Sequence, residues 1–207
     1  MNNIYIIGAG GFAKEVYSLL KDFGIYEITG FIDVNPNSDS LTIGNDTIPI
    51  IDEDIFLSDY KNVSVCIGTG YPNVIKKIIK KYQNFIFPNI IHPSFIGNKD
   101  SISMGYGNII TAGVIFTTDI KIGNFNVFNL GCTVGHDCKI LDGNVFNPKT
   151  NISGNCSIGN NNLFGVGSSI LEKLNVGNNN IIGGGSIIIS NIEDNSTYVG
   201  VPGKKIK

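Results

Sequence analysis

Histidine, cysteine and net charge are all scarce in this chain. With two histidines in 207 residues, a zinc centre of three converging imidazoles finds too few ligands, since His92 and His136 stand far apart in sequence. Four cysteines are too few for a disulfide scaffold. A net charge of −2 offers no basic field to a nucleic acid or an acidic membrane. Long apolar runs are missing too. The first residues, MNNIYIIGAGG, carry no basic stretch, their apolar run ends after four residues, and nothing elsewhere approaches the ~20 apolar residues of a spanning helix. The expectation is a soluble, cytoplasmic protein with no membrane or nucleic-acid partner. At 42% apolar residues the chain is rich enough to fold around a core, as one large domain or two small ones.

What is present divides into two grammars. Through residue 90 or so, strand-like and helix-like segments alternate. IYII (Ile4 to Ile7) reads as a strand, Gly8-Ala9-Gly10-Gly11 as a turn, and FAKEVYSLLKDFG as a helix with Phe12, Val16, Leu19, Leu20 and Phe23 at helical spacing, ending at Gly24. ITGFID ends a second strand at Asp33, VSVCIG forms another, and NVIKKIIKKY is an amphipathic helix with Lys76, Lys77, Lys80 and Lys81 on its wet face. Such alternation predicts a small parallel sheet covered by helices, a Rossmann-like α/β domain over residues 1–90.

From residue 91 to 207 the helical spacing disappears, and an apolar residue recurs every sixth position. The series Ile122, Phe128, Val134, Ile140, Phe146, Ile152, Ile158, Phe164, Ile170, Val176, Ile182, Ile188 is unbroken. The frame reaches back through Ile96, Ile102 and Val114 if a two-residue insertion precedes Ile122. A six-residue period fits an all-β domain, a parallel β-helix of short strands on flat faces, with three hexads to a coil and about five coils from Ile96 to Ser190. Glycine follows the apolar residue at Gly123, Gly135, Gly159, Gly165, Gly177 and Gly183, where corners need a backbone that side chains resist.

Register assigns the cysteines. The fifth hexad position holds Asn126, Cys132, Cys138, Asn144, Thr150, Cys156, Asn162, Ser168, Leu174, Asn180 and Ser186, nearly all small or compact polar residues, as an inward slot of limited room requires. Cys132, Cys138 and Cys156 are therefore steric choices, and Cys66 is core of an apolar strand. His136 takes the third position, where neighbouring coils carry Thr118 and Gly154; the coil itself does not call for an imidazole there. Two readings stand: a surface histidine beside a solvated aspartate, or a general base whose imidazolium Asp137 stabilises.

IGAGGFAKEV, FID, HPS, VGHDC and GVPGK, in that order along the whole chain, resemble the nucleotide-sugar acyltransferases of the hexapeptide-repeat superfamily. That group includes UDP-4-amino-sugar N-acetyltransferases and sialic acid O-acetyltransferases. The resemblance implies a left-handed coil, a homotrimer with active sites between subunits, and acetyl-CoA as acyl donor without a metal. It implies His136 as the base for a sugar amine and Asp137 as its partner. Coenzyme contacts are implied at Gly154, Val166 and Gly184. Many relatives carry a histidine where this chain has Phe12, and several carry one at about the place of Val145.

GAGGFA, with Gly8, Gly10 and Ala13 in a G-x-G-x-x-A pattern after a strand, also satisfies a relaxed dinucleotide fingerprint, but some 90 residues provide one mononucleotide half. Gly10 and Gly11 are assigned to phosphates and Asp33 to the ribose or base edge, with Phe12 beside them and Gly68 and Thr69 as the opposite wall. The plain alternative is that these glycines only make a tight turn. His92 is expected to cap strand ends at the junction, and the C-terminal lysines to be a solvated tail. The functional expectation is N-acetylation of a UDP- or dTDP-linked 4-amino-deoxy sugar in bacterial surface glycan (lipopolysaccharide O-antigen) biosynthesis. The alternative is O-acetylation of sialic acid or a related sugar; a non-catalytic β-helix would have no use for the glycine-rich half.

Overall fold

The structure is a computed structural model that describes residues 2–207, apart from the side chains of Asn2 and Phe23. The order begins β1 (Asn2–Ile7), α1 (Gly11–Phe23), β2 (Tyr26–Asp33), β3 (Ser40–Ile43), β4 (Asp46–Asp52), α2 (Glu53–Asp59), β5 (Ser64–Ile67) and α3 (Pro72–Lys81). These strands make one sheet in the order β3-β4-β2-β1-β5. It is parallel except for the β3–β4 hairpin, a pair that the sequence expectation lacks. A two-residue turn joins that pair, with Gly44 at φ 61°, a conformation that costs glycine little. α1 buries Ala13, Val16, Leu19 and Leu20 and stops where Gly24 turns left-handed (φ 67°) and donates its N–H to Leu20. α3 starts on Pro72, buries Ile75 and Ile78, and leaves its lysines exposed.

Beyond α3 the chain winds a left-handed parallel β-helix of three faces. The first face stacks Ile102–Met104, Ile120–Ile122, Lys139–Ile140, Ser157–Ile158 and Asn175–Val176; the third stacks Ile115–Phe116, Thr133–Val134, Asn151–Ile152, Ser169–Ile170 and Ile187–Ile188. The second face runs from Ile90–Ile91 through Val127–Phe128 to Thr197–Val199 as seven parallel strands, with Lys204–Lys205 added antiparallel. Six coils therefore separate its ends, one more than the period alone predicts, because pairing starts at Ile90 and continues to Thr197.

Pairing also corrects the frame. Phe116 pairs with Val134, Ile110 with Phe128 and Met104 with Ile122, so the six-residue series runs unbroken back to Met104. Val114 is fully buried and sits a coil before Cys132, in the small inward slot. The extra residue lies earlier, between Ile96, which bridges to Ile115, and Ile102, which pairs with Ile120.

The interior is built of ladders. Phe128, Phe146 and Phe164 stack with ring centroids 4.6 Å apart; truncating the middle one costs about 3–5 kcal/mol. Beside them Asn108, Asn126, Asn144, Asn162 and Asn180 are buried one above another. Each carboxamide oxygen accepts the backbone N–H of the next at 2.8–2.9 Å. Asn144 and Asn162 also donate to the carbonyls of Gly159 and Gly177, 15 residues on. Asn180 has no such partner, because the coil after it is two residues shorter: Ile182 pairs with Tyr198.

The glycines after the apolar residues have a different cause from the one expected. Left-handed backbone falls two positions later, at Phe125, Gly131, Asp137, Gly143, Lys149 and Asn155. At Gly135 and Gly165 the constraint is proximity: a β-carbon would stand 2.5 Å and 2.4 Å from backbone nitrogens of the next coil.

The halves share a core. Val127 and Val145 point from the second face into the hydrophobic cluster of the sheet, and Phe87 meets Phe125 edge-on at 5.0 Å.

Candidate active site

His136 and Asp137 occupy the corner between the third and first faces, following Thr133–Val134. Asp137 adopts φ 59°, a left-handed conformation that aspartate tolerates better than most residues. His136 Nδ1 lies 2.7 Å from Asp137 Oδ2, and both side chains are well over half exposed. Against a carboxylate Nδ1 carries the proton, which leaves Nε2 free to accept one. One coil on, Gly154 lies beneath the ring: a β-carbon there would meet Nε2 at 2.6 Å. The ring therefore faces outward from the prism, over a floor that only glycine leaves clear.

Val166 and Gly184 stack on another corner, between the second and third faces. Val166 is 57% exposed, and Gly184 lies against its backbone. Within one chain the third face separates them from Gly154, so the three positions linked to the coenzyme do not meet. Val145 is 1% exposed and packed against the α/β half, which takes it out of reach of any ligand.

The second region is a cleft of about 280 Å³ at the carboxyl ends of β1, β2 and β5. Gly8, Gly10, Gly11 and Phe12 form one wall, and Gly68 and Thr69 the other, with Asp33 between. Gly8 has φ 105° and a β-carbon there would press on the Gly68 carbonyl at 3.2 Å, so this glycine has a steric reason. Gly10 and Gly11 differ. Their positions are open, and Gly10 caps α1 without a side chain, which leaves the first-turn N–H groups bare for an anion. Asp33 organises the loop. Its Oδ2 accepts the N–H of Ala9 at 3.0 Å and its Oδ1 that of Asn35 at 3.1 Å.

Sequence reasoning missed Glu53 and Tyr71, which also line the cleft. Glu53 begins α2 at the end of β4, as Asp33 ends β2; recognising β4 would have exposed it. Tyr71 and Val74 line a second cavity of about 590 Å³ against the second face, with Leu163 and Ile181.

The cysteines are buried and free. Cys138 donates to the Ser153 carbonyl and Cys156 to that of Leu171. A hydrogen bond to Cys156, then burial, holds the Cys138 thiol protonated. His92 accepts the N–H of Ser94 at Nδ1, 3.0 Å away, and its Nε2 faces Asp22 at 3.8 Å, a junction role as expected. No group of three or more metal-ligating side chains occurs among the described residues, and no helix there is long and apolar enough to cross a membrane.

Residues 3–82 match the family described as PglD N-terminal domain. Among solved structures, a histidine-to-asparagine mutant of perosamine N-acetyltransferase from Caulobacter crescentus, in complex with CoA and GDP-perosamine, is similar at TM-score 0.90 and 25% identity, over 100% of this chain and 98% of that one. The chain is an acyltransferase of the hexapeptide-repeat superfamily. Two more structures share the acyltransferase's fold at 24% identity, each covered in full by the whole chain: the acetyltransferase domain of PglB from Neisseria gonorrhoeae in complex with acetyl coenzyme A (TM-score 0.89) and WeeI from Acinetobacter baumannii (TM-score 0.83). No curated protein sequence matches it significantly.

Proposed function

We propose that this acyltransferase moves acetyl from acetyl-CoA to the primary amine of a nucleotide-linked 4-amino-deoxy sugar, in the cytoplasmic stages of bacterial surface glycan assembly. One observation carries the chemistry: an outward imidazole whose Nδ1 is tied to Asp137 at 2.7 Å and whose Nε2 stands free above Gly154. As the amine nitrogen attacks the thioester carbonyl, Nε2 takes its proton and Asp137 steadies the imidazolium. The C–S bond then breaks, the proton passes from imidazolium to the departing thiolate, and amide and free CoA result. Backbone N–H groups at the coil corners are suited to the oxyanion. With every cysteine at most 3% exposed, transfer is direct, without an acyl-enzyme.

The cleft suits the nucleoside diphosphate: phosphates at Gly10 and Gly11, ribose at Asp33, with Gly68, Thr69 and Phe12 as walls. Gly154 on one corner and Val166 with Gly184 on another suit a homotrimer in which the acyl donor lies between neighbouring prisms. The Caulobacter relative, solved with CoA and GDP-perosamine, supports this pairing of ligands.

The test is thiol release from acetyl-CoA with a panel of nucleotide amino sugars. His136→Ala should lower turnover by at least about 10²-fold while acetyl-CoA still binds by calorimetry. Full turnover in that variant rejects the mechanism.

A further inference from the structure

The cleft has an acidic floor and no cation on its walls. Glu53 is 8% exposed; its Oε1 accepts the Tyr82 hydroxyl at 3.0 Å and its Oε2 the Lys81 ammonium. Each oxygen keeps a further lone pair for a ligand. The neighbouring lining is apolar, with Val34, Val74, Ile78 and the exposed ring of Tyr71, and no lysine or histidine contributes to it. The whole chain contains no arginine. Negative charge has a place only at the bare N–H groups of Gly10 and Gly11, so the apolar end with its buried carboxylate is left for the base.

A carboxylate at the end of an apolar slot discriminates among flat rings by their hydrogen-bonding edges. Guanine presents N1–H and N2–H side by side, a match for two carboxylate oxygens. Uracil and thymine present one N–H between two carbonyls, which the carboxylate repels. Adenine and cytosine present an amino group next to a bare ring nitrogen, another acceptor. We propose that Glu53 makes this a guanine-selective site, so that the acceptor is a GDP-linked amino sugar, in place of the UDP or dTDP expected from the resemblance. The inference rests on the reading of the cleft as the nucleotide site.

Calorimetry on the full chain with GDP, IDP, UDP and dTDP tests it. GDP should bind at least about tenfold more tightly than UDP or dTDP. It should also exceed IDP, which lacks only the 2-amino group, by about tenfold, since a site built for a donor rejects the analogue without it. Glu53→Gln, with its fold checked by circular dichroism, should bring the GDP-to-IDP ratio close to one. UDP or dTDP binding as tightly as GDP, or an IDP affinity equal to that of GDP in the unmodified protein, overturns guanine selection and leaves the nucleotide site standing. Absence of binding by all four nucleotides overturns both readings.

Discussion

A β-carbon on Gly154 would stand 2.6 Å from Nε2 of His136, the nitrogen left free by Asp137. Gly154 is not among the left-handed positions, so alanine fits its backbone, and the nearest atoms that its β-carbon would meet all belong to the imidazole. Gly154→Ala should therefore keep the fold and push the ring off its position. The expected result is a fall in kcat of about 10²-fold, the scale on which small displacements of a catalytic group act, with the thermal midpoint nearly unchanged. Unchanged kcat would show that the ring is not used where it stands.

Asp137 can be probed without disturbing its turn, because asparagine also tolerates φ near 59°. In Asp137→Asn the amide oxygen still accepts from Nδ1 but no longer supplies the charge that steadies an imidazolium. Turnover should fall by about 10- to 100-fold, with KM for both substrates little changed. A rise in KM alone would move Asp137 from proton transfer to substrate binding.

The asparagine ladder makes a prediction about stability. Asn144 is fully buried; it donates to Asn126 and Gly159 and accepts from Asn162. Asn144→Ala strands a backbone N–H and a carbonyl inside the prism, at a cost of about 2–4 kcal/mol. Urea unfolding measures it, and a loss below about 0.5 kcal/mol would mean that water replaces the side chain.

Much of this was legible because the coil repeats one geometry. The edges call for an apolar residue every sixth position and, Leu174 apart, a small or compact polar one in the fifth, which places Cys132, Cys138 and Cys156 in one slot. Their burial follows that register. The frame slipped where the repeat is weakest: Val114 and Phe116 are both apolar, and only strand pairing tells which lies on a face. The role of Gly135 was misread because contact between coils leaves no mark in the local sequence that distinguishes it from a turn. Glu53 was missed with β4, since DTIPIID carries a proline and begins in a hairpin. Gly154 and Val166 lie on separate corners, a relation set by coil geometry that a linear sequence does not display.

Burial pushes the Cys132 thiol up to about 11 from 9.0. The folded state thus holds its proton more tightly than the unfolded chain. The stabilisation is complete below pH 9.0 and is lost as pH rises toward about 11. Cys132→Ser, a residue found in the same slot at Ser168 and Ser186, removes the titration. Urea midpoints followed across this window should fall more steeply for the unmodified protein, by up to about 2–3 kcal/mol. Parallel curves would show that other groups govern alkaline unfolding.

If a working site takes His136 and Gly154 from one protomer and Val166 and Gly184 from its neighbour, two inactive variants should rescue each other. His136→Ala spoils the base and leaves the donor groove; Gly184→Trp fills the groove and leaves the base. Each alone should be nearly inactive. Co-expressed in equal amounts in a ring with heterologous contacts, a site is whole only where an intact base meets an intact groove, which random assembly gives in about one quarter of cases. Recovery of about 25% of normal turnover is expected. A site contained within one chain would recover none, because each chain carries a lesion, so the mixture separates the two arrangements without a structure of the complex.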